Sequence, residues 1–178
     1  MSDGVPVGRE ALDDEAYQIR EVYAQYGLTS YCSQTVERGL VNILTVAATA
    51  SSPTPTQATY DRHLARFSLL TFGQLASSYE QSGVKDAAAL AALREAAPLR
   101  NFITHRFFWD RAADFLSYTG REGMLVELAN ARVRFEELDS ILNALVRVTA
   151  AKAGFDLYWF EEQLEKEMDG LRASAPAD

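Results

Sequence analysis

The chain is poor in the residues from which many active sites are built. Its 178 residues include one cysteine, Cys32, and two histidines, His63 and His105. A single cysteine excludes an internal disulfide and suits a reducing cytoplasm. Two histidines and one cysteine are too few for a structural zinc site, so no metal is expected, and no cofactor either. No Gly-rich phosphate loop, HExxH helix or GxSxG elbow occurs. Acid pairs such as Asp13-Asp14 and Glu136-Glu137 are adjacent and would point apart on a helix, which disfavours two-carboxylate chemistry. Long apolar runs are missing as well. The best of them, residues 40–50, is interrupted by Asn42, Thr45 and Thr49 and is too short to span a bilayer. Residues 1–10 hold no apolar signal-peptide core. These absences lead to the expectation of a cytoplasmic protein with no membrane partner. Strand alternation and hairpin turn signals are missing too.

What is present is helical periodicity. Apolar residues make up 48% of the chain, enough for a proper core. The expected fold class is all-α: one helical-bundle domain over residues 1–178, with five to seven helices. Flexible ends are expected at about 1–10 and from Ala173 to 178. Leu12, Ala16, Ile19, Tyr23 and Tyr26 mark a first helix, with Gly27 as its stop. A second helix is expected to start after Thr29 or Ser30 and to run to about Ala50. The Ser51-Ser52-Pro53-Thr54-Pro55-Thr56 stretch is a loop. A third helical region covers 57–81, with Gly73 as a candidate break and Gly83 beyond its end. Asp86 can cap a short Ala-rich helix reaching Ala97. A further helix is expected from Pro98 to about Tyr118, since proline is favoured at the first helical position, with Gly120 closing it.

The longest helix is expected over 122–152. Met124, Leu128, Ala131, Phe135, Leu138, Leu142 and Leu145 fall at alternating steps of four and three. Such a seam serves either a bundle core, the preferred reading, or a coiled coil between chains. Gly154 ends it. A last amphipathic helix would carry Leu157, Phe160, Leu164, Met168 and Leu171.

The formal net charge of −8 argues against broad nucleic-acid binding. Its distribution is uneven. Residues 94–121 hold five arginines against Glu95, Asp110 and Asp114, whereas residues 161–170 hold five acids against Lys166. A small basic patch in an acidic protein fits a short RNA segment better than a duplex track.

Within that patch lies the sequence Pro98-Leu99-Arg100-Asn101-Phe102-Ile103-Thr104-His105. Arginine supplies a permanent planar charge for phosphate oxygens, and histidine takes and returns a proton near neutral pH. If Pro98 opens a helix, Arg100 lies in the first turn, where free N–H groups attract anions. Asn101 and His105 share a helix face, while Arg100 lies about 140° away from His105. One helix therefore does not bring both groups onto one phosphate comfortably, and a two-fold partner would relieve this. Arg106, Trp109 and Arg111 follow and are candidate substrate contacts. Trp109 is suited either to stacking on a base or, more commonly, to the core. On residue chemistry alone, Arg100 paired with an acid and His105 capping the core is the preferred reading. His63 is expected to be a partly exposed helix residue without a special role.

In this form the motif resembles the Arg-x(4–6)-His signature of the HEPN superfamily, with four residues between Arg100 and His105 and a polar residue after the arginine. The sharp resemblance covers about a dozen residues. It implies a metal-independent endoribonuclease in which two motifs face each other across a homodimer. His105 would act on the ribose 2′-OH, Arg100 would stabilise the phosphorane-like charge, and Asn101 would orient these groups. The products would carry a 2′,3′-cyclic phosphate and a 5′-OH. The implied settings are toxin–antitoxin systems, with an antitoxin as protein partner, phage defence, or RNA processing. One departure is Phe107, where some toxin members carry a modifiable tyrosine. Other members are non-catalytic, so a helical interaction or nucleotide-binding module is the alternative.

Overall fold

The computed structural model describes residues 13–84, 86–155 and 169, and every regular element among them is a helix. In chain order they are α1 (Asp14–Ala50), α2 (Gln57–Phe67), α3 (Phe72–Gln81), α4 (Ala87–His105), the one-turn α5 (Phe107–Asp110) and α6 (Ala112–Phe115), and α7 (Tyr118–Lys152). They form a single helical domain, as the periodicity predicts.

Two helices of 37 and 35 residues, α1 and α7, are its spine. At 1.5 Å per residue each is about 50–55 Å long. Gln18 meets Glu122, Gln25 meets Arg132, and Cys32 meets Glu136, so the two run parallel. The chain between them makes the return journey. In α4 Arg100 lies against Glu37, and further on Phe107 lies against Tyr26, so this limb descends antiparallel to α1.

The heptad seam of α7 is core within one chain. Met124, Leu128, Ala131, Phe135, Leu138 and Leu142 are all 2% exposed or less. They pack with Val36, Leu40 and Ile43 of α1, Leu75 and Tyr79 of α3, and Leu93 and Ile103 of α4. Each large apolar side chain buried there contributes roughly 1.5–3 kcal/mol relative to exposure.

Four boundaries differ from the sequence expectation, each for a local reason. First, α1 does not stop at Gly27 but passes through it. The helix is anchored on both sides by buried Val22 and Thr29, which outweighs the glycine's cost of about 1 kcal/mol. Second, the 57–81 region breaks at residues 68–71, before Gly73, because Thr71 forms a reciprocal capping box with Gln74. Third, Pro98 lies inside α4 and does not begin a helix. Asp86 caps α4 as expected, but the helix runs on to His105. Pro98 and Arg94 are both exposed, so the Arg94 carbonyl that loses its donor is left to solvent. Fourth, the motif helix ends at His105 and not near Tyr118. Arg106 leaves helical geometry at φ −129°, ψ −20°, which turns Phe107 into the core and Trp109 outward.

Ser117 caps the start of α7, its side chain accepting from the Gly120 amide. A Cβ on Gly120 would run into the Asp114 carbonyl, so the tight α6–α7 corner requires glycine. At the far end Gly154 adopts φ +73°, and the Phe155 amide donates to the Ala150 carbonyl in a Schellman-type stop. Apart from Asp169, which is helical and exposed, the expected last helix lies outside the described residues, as do both expected flexible ends.

Candidate functional site

Arg100 sits fourteen residues into α4, so it has no share in a helix N-terminus. Its side chain is 24% exposed and emerges in a valley between α1, α3 and α4. Nη2 lies 3.6 Å from Oε2 of Glu37, and the guanidinium carbon lies 5.9 Å from the centre of the Phe72 ring. Nη1 donates to Oδ1 of Asn101 at 3.5 Å, the long limit of a hydrogen bond. Glu37 is 30% exposed. Glu37 and Phe72 thus belong to the site, although 63 and 28 residues of sequence separate them from Arg100 and no local pattern flags them.

His105 is the last residue of α4 and is exposed. Its side chain makes no hydrogen bond, ion pair or ring contact among the described residues. It does not cap the core. Asn101, one turn earlier, is exposed on the same face, and exposed Thr104 lies between the Arg100 and His105 directions around the helix. The structure brings Arg100 and Asn101 into contact. It leaves His105 on the adjoining face without contact to Arg100.

The three candidate substrate contacts part company. Trp109 is 85% exposed, so the core expectation for it does not hold. Arg106 is exposed and pairs with Asp110 at 2.7 Å. Arg111 is engaged elsewhere: Nε and Nη2 donate to both Glu127 carboxylate oxygens at 2.7 and 2.8 Å, and its guanidinium covers the Phe102 ring. The Glu127 hydrogen bonds hold Arg111 still more firmly protonated than usual. It lines a groove of about 830 Å³ beside Leu99, Met124, Asn130 and Arg134. Leu99 lies about 120° around α4 from His105, so this groove opens on a different side of the helix.

The basic patch does not survive folding as a positive surface. Arg94 pairs with Glu80, Arg100 with Glu37, Arg106 with Asp110, Arg111 with Glu127, and Arg121 with Glu15. Four of these carboxylates come from outside residues 94–121. Each arginine of the stretch therefore has a carboxylate partner. Arg121 is 3% exposed and serves the fold: Nε donates to Gln18 and Nη1 to the Phe115 carbonyl. His63 is partly buried and stacked on Phe67 within α2.

Among the described residues no group of three or more His, Cys, Asp or Glu side chains is placed to hold a metal ion. No helix among them is long and apolar enough to cross a membrane. No family model, curated protein or solved structure gives a significant match to this chain.

Proposed function

We propose that the chain is a HEPN-like, metal-independent endoribonuclease that acts as a homodimer, with Arg100, Asn101 and His105 as its working groups. One observation carries the reading: His105 stands exposed and unpartnered among the described residues, one turn beyond exposed Asn101, which touches Arg100. In this reading neutral His105 takes the proton of a ribose 2′-OH. The freed oxygen attacks the adjacent phosphorus, the P–O5′ bond breaks, and the departing O5′ takes the proton held by the imidazolium. Arg100 neutralises the charge on the pentacoordinate phosphorus oxygens, and Asn101 orients it. The ion pair with Glu37 is partly exposed and 3.6 Å long, so exchanging that carboxylate for a phosphate costs little, on the order of 1 kcal/mol or less. Trp109, one turn past His105, offers an exposed ring for a flanking base.

The 140° between Arg100 and His105 motivates the dimer, in which the arginine of one chain serves the histidine of the other. Sedimentation at micromolar concentration and cleavage of single-stranded or looped RNA in EDTA test the reading together. A dimer that cuts supports it. A monomer, or cleavage only with a divalent ion, contradicts it. The ion pairing of all five arginines in 94–121 favours a second reading, a non-catalytic helical interaction module that uses exposed Trp109, Leu116 and Tyr118 as a partner surface. A dimeric protein inert toward RNA would favour that alternative, with an antitoxin-like protein as one class of partner.

A further inference from the structure

We propose that a groove at the far end of the bundle is the seat of this chain's own segment 157–171. It makes no use of Arg100 or His105. The groove, about 590 Å³, is built where α1, α2, α3 and α7 all end. Leu44, Ala48, Phe67 and Val84 give it an apolar lining. Among the described residues Arg66 and Lys152 are the charged ones that line it, and no carboxylate does. Both cations are exposed, and neither has a carboxylate partner among the described residues.

Three features commit the groove to this occupant. The first is position. Thr149, Lys152 and Ala153 already line the groove, and Gly154 then turns the chain out of α7 at its rim. The second is pattern. Leu157, Phe160, Leu164, Met168 and Leu171 recur at steps of three and four, which gathers them on one helical stripe. Fifteen residues of helix span about 22 Å. The third is charge. Glu161 and Glu165 border that stripe, and the five acids of 161–170 face a single Lys166 in sequence. An acidic amphipathic segment thus complements an apolar groove rimmed by two cations that have no carboxylate partner among the described residues. A helix beginning after Phe155 would also bring its positive end to a place where four helices present their carbonyl ends.

The full chain can be tested with a lysine-specific protease, because its lysines are Lys85, Lys152 and Lys166 only. Docking predicts slow cutting at Lys166 in the wild type. It predicts at least tenfold faster cutting in R66E/K152E, and a return to slow cutting when E161R/E165R is added. Both groove substitutions are at exposed positions, so unchanged helical circular dichroism is expected. Hydrogen exchange should show residues 64–67 and 81–84 losing protection in R66E/K152E and regaining it in the fourfold variant. Equal cutting at Lys166 in all three proteins overturns the proposal. So does loss of protection that the charge swap does not restore.

Discussion

At the scale of single residues, His105 and Arg100 share one helix but stand in different settings. His105 projects from the last position of α4 into solvent, so its removal leaves no buried group unsatisfied. His105→Ala is expected to keep stability within about 0.5 kcal/mol of wild type in urea unfolding while losing RNA cleavage. A loss of several kcal/mol would mean that the ring carries structure. Arg100→Lys keeps the charge opposite Glu37 but loses the planar fork that fits phosphate oxygens, so a folded protein with severely reduced turnover is expected. Cys32 gives an independent check on the core. Burial pushes its thiol above the ordinary range, and Glu136 adds to this. Because the thiolate is the reactive form, a thiol reagent at pH 8 should modify native Cys32 far more slowly than the unfolded chain. Equal rates would contradict the packing of α1 on α7.

At the scale of elements, glycine gives contrasting expectations. Gly27 lies inside α1 with open space where a Cβ would be, so Gly27→Ala should stabilise by up to about 1 kcal/mol. Gly120→Ala should destabilise by roughly 1–3 kcal/mol, because its Cβ meets the Asp114 backbone. Thermal unfolding of the two variants should move in opposite directions. The same residues mark what was legible in the sequence. The α7 seam was readable because its apolar steps are all intrachain core contacts. The caps at Asp86 and Gly154 were readable because capping is local chemistry. Gly27 and Pro98 misled because packing on both sides carries a helix through a residue that would end it in isolation. The Arg100, Asn101 and His105 spacing was legible as a motif. Its partners Glu37 and Phe72 were not, since they reach Arg100 only through the antiparallel return of α4 along α1. The basic patch misled for the same reason: Glu15, Glu37, Glu80 and Glu127 are brought to it by folding.

At the scale of the whole molecule, two parallel helices enclose a returning limb whose last turn presents the candidate site, in an acidic protein whose arginines in that region are ion-paired. Such a surface suits local engagement of one phosphodiester and not a long track, so modest salt dependence is expected of any RNA affinity, measured by titration across ionic strength. A steep slope, the mark of many phosphate contacts, would contradict the charge map. The most direct test of the central claim is end-group analysis of RNA incubated with wild type and His105→Ala in EDTA. The account predicts fragments carrying 2′,3′-cyclic phosphate and 5′-OH from the wild type and intact RNA from the variant. Fragments ending in 3′-OH, or equal cleavage by both proteins, would contradict it.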